Sequence, residues 1–180
     1  ENDLQCGIAH FWEHMAFKGT RKRKAYHIIN RLESVGGEIN AYTTKEKICF
    51  YASVLDPHFD KALELLKDIS FHSIFPEKEI HKEKGVILEE MGMYLDSPED
   101  SIHDEFEEML FEGHSLAHNI LGYPETIKKF EPSDIVNFIS GNMNTEKTVI
   151  SVVSSLAPSK IKKQFIKYFD EIPHKTSELS

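Results

Sequence analysis

Residues 7–20 read GIAHFWEHMAFKGT. Two histidines and a glutamate fall within five positions, His10-Phe11-Trp12-Glu13-His14, inside an otherwise apolar stretch. On a helix, residues four apart stack on one face, so His10 and His14 point the same way and Glu13 lies beside them. Such a pair can hold one metal ion. Zinc suits it, because zinc accepts imidazole nitrogen and carboxylate oxygen in a tetrahedron. A catalytic zinc keeps one position for water and lowers its pKa towards neutrality. A neighbouring carboxylate can then take the proton.

The bland alternative is a pair of surface histidines. Chance places H-x-x-E-H about 0.06 times in a chain of this composition, so the motif is suggestive alone, and it is also a zinc-site signature. A metal centre needs a third ligand, and EKGVILEEMGMYLDSPED, residues 83–100, offers candidates. Glu83 and Glu90 lie seven apart, two helical turns, hence on one face. Glu89 points about a third of a turn away. Glutamate is also an ordinary surface helix former, but Val86, Ile87 and Leu88 next to the pair predict a partly buried helix, and a buried carboxylate needs a partner.

Around these segments the hydrophobic period predicts a mixed α+β domain, a small, mostly antiparallel sheet flanked by helices. Helices are expected over 6–17 and 24–35, the second ended by Gly36-Gly37. The period then changes. GEINAYTTKEKICFYASVL, residues 37–55, reads as two strands around a turn at Thr44-Lys45-Glu46, with Ile48, Phe50, Ala52 and Val54 on one side. A third helix follows Asp56-Pro57, with Phe59, Leu63, Leu66 and Ile69 as its stripe. A fourth runs from Pro76 to about Leu95. Ser97-Pro98 opens a fifth, to about Glu112. Residues 113–127 read as a loop, 133–140 as a helix and KTVISVVSS, 147–155, as a strand. The last helix covers 157–172, with Ile161, Phe165, Tyr168 and Phe169 inward, and 173–180 reads as a tail or the start of a linker.

The 180 residues suit one domain with a real core. A formal net charge of -9 argues against nucleic acid as partner, and no apolar run is long enough for a membrane span. The chain starts Glu1-Asn2-Asp3-Leu4, without Met or a signal-peptide pattern, and is expected to begin inside a longer protein. Cys6 and Cys49 make no disulfide framework, so a reducing compartment is the default. Cys49 is expected in the core and Cys6 nearer the surface. The Arg21-Lys22-Arg23-Lys24 run is expected to cover a loop and a helix start. His72, His81, His103, His114 and His118 show no ligand spacing.

Taken together, GIAHFWEHMAFKGT, LESVGGEINAYTTKE and EKGVILEEMGMYLDSPED, in this order and spacing, closely resemble the pitrilysin/insulinase family of zinc metallopeptidases. Within that family the chain most resembles the branch of the mitochondrial processing peptidase β subunit and its bacterial relatives. The resemblance extends through LGYPETI and FISGNMNTEKTVISVV and covers almost the whole chain. It implies a zinc-dependent endopeptidase, acting on peptides bound in extended form. His10, His14 and Glu90 match the zinc ligands, Glu13 the general base on the zinc-bound water, and Glu83 an acid that supports the site from behind. Asn40 and Ala41 match the strand where a bound peptide adds to a sheet edge.

The resemblance further implies that residues 1–172 are most of an N-terminal catalytic domain, incomplete at its start. Members have about twice this length, in two similar halves around a chamber, so a second half is expected as partner, later in the native chain or in another subunit. Bacterial cytoplasm and mitochondrial matrix are the compartments it suggests, without a choice between them. Trp12 departs from the leucine usual in relatives, which predicts a change in core packing. The rival reading is a non-catalytic peptide-binding or scaffold subunit. An intact motif disfavours it.

Overall fold

The computed structural model describes residues 4–172, so the expected tail at 173–180 lies outside the described residues. Helix α1, Ile8–Ala16, carries the histidine pair. It starts where two glycines meet backbone to backbone. A Cβ on Gly7 would lie 2.7 Å from the Gly122 Cα, and one on Gly122 would lie 2.5 Å from the Cys6 carbonyl oxygen. Both have positive φ, 88° and 80°, a region that side chains disfavour. This contact presses the 119–123 loop over the start of α1. It also buries Cys6 completely, against expectation, with its thiol donating to the Asn119 carbonyl.

Helix α2, Ala25–Glu33, buries Ile28 and Leu32 and ends at Gly36, whose φ is 73°. The period then switches to the hairpin β1, Glu38–Thr43, and β2, Ile48–Ser53. They are antiparallel, with Ala41 opposite Phe50 and Thr43 opposite Ile48. Helix α3, Phe59–Phe71, follows a short 3-10 turn. Its buried face is Ala62, Leu63, Leu65 and Ile69, while Phe59 and Leu66 are only partly covered. Helices α4, Glu77–Leu95, and α5, Pro98–Leu110, match the two long segments expected. The stretch read as loop contains α6, Pro124–Ile127, which starts at a proline. Helices α7, Pro132–Asn142, and α8, Pro158–Phe169, complete the set. None of these helices is long and apolar enough to cross a membrane.

One element differs in kind. Residues 147–155 form no strand: among the described residues the sheet is β1 and β2 alone. Val149 is 89% and Val153 100% exposed. The β-branched run supplies propensity, but a strand exists only when another backbone takes its hydrogen bonds.

Two apolar clusters make the core. The first gathers Ile8, Phe11, Trp12 and Met15 of α1 with Ile80, Ile87 and Met91 of α4, Ile127 of α6, and Ile135 and Phe138 of α7. The second gathers Ile28 and Leu32 of α2 with Ala62, Leu65 and Ile69 of α3. Phe17 and Phe50 touch both clusters and join them. Trp12 packs edge-on against Phe50 and Phe138, at 5.8 and 6.4 Å between ring centroids, and so fills the joint. Helix α8 lies on α3 and is only half covered there, with Phe169 edge-on to Phe71.

The basic run after α1 is anchored. Arg23 pairs with Glu64 and Asp68 of α3, and Thr20 donates to Asp68 at 2.8 Å. The glycine contact predicts an asymmetry. Gly122→Ala should lower unfolding free energy by at least about 1–3 kcal/mol, since the new Cβ meets backbone at positive φ. Gly85→Ala, in an open position on α4, should raise it by about 0.5–1 kcal/mol. Urea unfolding of the two variants checks both signs.

Candidate metal centre

Helix α1 packs against α4 and against β1. With Ile8, Phe11, Met15 and Ala16 buried, the His10 and His14 edges face α4 and Glu13 meets β1. The nitrogens His10 Nε2 and His14 Nε2 lie 3.2 Å apart. Glu90 Oε2, from α4, is 3.9 Å from the first and 3.5 Å from the second. Ligands at about 2.0–2.2 Å around a tetrahedral zinc stand roughly 3.3–3.5 Å from one another. The three atoms therefore have the spacing of one face of such a site, slightly open on the His10–Glu90 edge. Among the described residues, these three are the one group of metal-binding type whose ligand atoms all lie within 4.8 Å of one another.

The other side of His14 explains its tautomer. Its Nδ1 is 2.9 Å from Glu83 Oε1, and Glu83 Oε2 accepts from Lys18 Nζ at 2.6 Å. Glu83 is only 4% exposed. Burial pushes its pKa up, but the hydrogen bonds and charges of His14 and Lys18 outweigh that and hold it below the usual carboxylate range. An ionised Glu83 accepts a hydrogen bond from Nδ1–H, which leaves the Nε2 lone pair of His14 facing His10. Burial first, and the charge of His14 second, lowers the His10 pKa to about 4. His10 is thus neutral at pH 7. Two imidazoles and a carboxylate, with a further carboxylate behind one imidazole, are a donor set that fits zinc. His10 Nδ1 is buried without a hydrogen-bond partner.

Of the two other glutamates considered, Glu90 is half-buried and turns to the histidines, whereas Glu89 is exposed. Val86, expected to shield them, is itself 46% exposed. The cover comes from Ile80, Ile87 and Met91. Glu13 is half-buried, and its carboxylate oxygen Oε2 accepts a hydrogen bond from the Thr43 hydroxyl. Asn40 and Ala41 lie on β1, three and two positions before Thr43, on the strand that packs against α1. The Ala41 N–H donates to the Asn40 side-chain oxygen at 2.8 Å. This N–H is therefore outside the β2 ladder, on the edge of β1 that has no strand partner among the described residues.

Two residues that touch the site, Lys18 and Thr43, are absent from the sequence reading. Lys18 had a signal, four positions after His14 and one turn on. Thr43 had none, because its partner is 30 residues away in the chain. His114, which has no place at the site, caps the 3-10 turn at 115–117 by accepting from Leu116 N–H.

Comparison with known proteins shows the family of the chain. The family model for insulinase (peptidase family M16) matches residues 1–124. A Bacillus subtilis protein named as an uncharacterized zinc protease is 42% identical over 156 residues, 87% of this chain and 38% of that protein. A probable mitochondrial-processing peptidase subunit beta of Arabidopsis thaliana is 34% identical over 182 residues, 99% of this chain and 34% of that protein. In both cases the chain spans well under half of the relative's length. The crystal structure of a protease from Helicobacter pylori superposes with a TM-score of 0.91 at 25% identity, over 99% of this chain and 43% of that one.

The lowered His10 pKa gives a pH dependence with a definite sign. Between about pH 6.5 and about 4, the unfolded chain binds a proton at His10 that the folded, metal-free protein refuses. Stability is therefore lost as pH falls through that window, by up to about 1.4 kcal/mol per pH unit. Urea unfolding at stepped pH should show this slope in the metal-free protein and a shallower one in His10→Gln.

Proposed function

The chain belongs to the insulinase family of peptidases, family M16, and on that premise we propose that it is the zinc-binding half of a metalloendopeptidase that cleaves peptides held in extended form. One observation carries this reading: His10, His14 and Glu90 converge at zinc-ligand spacing, with Glu13 on the same helix. Zinc would be held by these three residues, and when bound it supplies a Lewis acid that polarises a carbonyl and acidifies water near neutral pH.

The remaining roles belong to the chain itself. Glu13 takes the proton of the attacking water and passes it to the leaving amine. Glu83, ionised and paired with Lys18, holds His14 in the tautomer that offers its Nε2 lone pair. The unpartnered edge of β1, at Asn40 and Ala41, takes the peptide as an added strand through main-chain hydrogen bonds. An added strand is extended by construction, which places a peptide bond rather than a side chain as the feature read. The chain spans 38% of its Bacillus subtilis relative. We infer that turnover needs a second half, from the same protein or from a partner subunit, to close over the peptide.

Glu13→Gln in the full-length protein tests the reading. It should keep zinc, measured by metal analysis, and lose hydrolysis of a quenched, basic, unstructured peptide by at least about 100-fold. His10→Ala and Glu90→Gln should lose the zinc as well. Full activity in Glu13→Gln would overturn the mechanism. Bound zinc without cleavage by the wild-type protein would favour a peptide-binding subunit instead.

A further inference from the structure

A glutamate on a helix has three rotatable side-chain bonds, and a half-exposed one samples several rotamers. A general base has to stand in one place, within hydrogen-bond reach of the proton it removes. Something must therefore hold Glu13. Its carboxylate touches one donor among the described hydrogen bonds, the Thr43 hydroxyl.

Three features make this contact more than a surface bond. First, Thr43 is a stiff, β-branched residue fixed by the hairpin, with Ile48 opposite it in the register. Its hydroxyl is aimed by the sheet and not by a mobile loop. Second, it binds Oε2 only. The other oxygen of Glu13 is left free to receive a proton. Third, Thr43 and Ala41 stand two apart on β1 and share one half-buried face, towards α1. The strand that would receive the peptide and the base that would act on it are thereby tied into one body.

We propose that Thr43 is a positioning residue that aims the Glu13 carboxylate and fixes its distance from a peptide lying along β1. This rests on the zinc-peptidase reading above. Thr43 touches no metal ligand in the described contacts, and its role is exerted through Glu13. A purely structural role is the competing account, because threonine is also a good strand former. The two differ in what they require. Positioning requires the hydroxyl, and strand propensity requires the branched shape.

The test uses the full-length protein with zinc and compares Thr43→Val, which keeps the shape, with Thr43→Ser, which keeps the hydroxyl. The expected result for Thr43→Val is a kcat about 10- to 100-fold lower, the loss that goes with one hydrogen bond to a charged group, with KM within about twofold and zinc content unchanged. Thr43→Ser should stay within about threefold of wild type. A crystal structure of Thr43→Val should show the Glu13 carboxylate moved or in more than one rotamer.

A Thr43→Val enzyme with wild-type kcat overturns the proposal, as does an unmoved Glu13 in its structure. A serine variant as slow as the valine one assigns the effect to shape and also overturns it. A faster valine enzyme would mean that Thr43 holds the base away from its task. In each of these cases the peptidase reading stands, because wild type still cleaves. Absence of cleavage by zinc-loaded wild type removes that reading, and this proposal with it.

Discussion

A buried carboxylate sets the geometry of this domain. Helix α4 turns Ile80, Glu83, Ile87 and Met91 inward, so Glu83 occupies a position that the pattern would give to an apolar residue. A charge there is tolerated only with partners. Both partners come from one short segment: His14 near the end of α1 and Lys18 just beyond it. The helices cannot rotate about their axes without breaking one of these contacts. That fixed rotation brings Glu90, two turns along α4, to the edges of His10 and His14. The donor set is therefore a consequence of how one unfavourable burial is satisfied.

The rest of the core holds that arrangement still. Lys18 is useful only if the chain after α1 has a fixed course, and the following residues are pinned to α3. Arg23 bridges Glu64 and Asp68, and Thr20 adds its hydroxyl to Asp68. Such a network stabilises less than its number of contacts suggests, since each charge has to be desolvated. It does specify the loop. Phe17 and Phe50, which touch both apolar clusters, link the anchored α2–α3 side to the α1–α4 side. Trp12 lies at this joint, against Phe50 and Phe138.

The elements that were legible in the sequence are those whose signal is local. Four-residue spacing put His10 and His14 on one edge, and seven-residue spacing put Glu83 and Glu90 on one face of α4. The hairpin followed from alternation around a polar turn. What periodicity could not supply was partnership across the chain. Residues 147–155 have the composition of a strand, yet composition does not provide the second backbone a strand requires, and no strand pairs with them among the described residues. Cys6, just before α1, was expected nearer the surface, yet it is buried by residues far along the chain. The cover is Gly122, brought in by a backbone approach that only two glycines permit. Thr43 escaped for the same reason, as its partner Glu13 lies on another element.

The open edge of β1 gives a final constraint on what the site can recognise. Unpaired strand edges invite unwanted pairing, and proteins usually blunt them. Here the blunting is slight: the Asn40 side chain takes up the Ala41 N–H. An incoming peptide backbone has to replace one hydrogen bond by another, an exchange of nearly equal groups. The exchange depends little on the peptide's side chains, since the donors and acceptors at stake are main-chain atoms. A site of this design, on the proposed function, accepts many sequences at β1 and requires only that they be extended there. Selectivity among peptides then has to come from surfaces farther from the metal, including those that a second half would bring. On the proposed function, the catalytic residues and the substrate preference are thus separable, with the first carried by α1, α4 and β1.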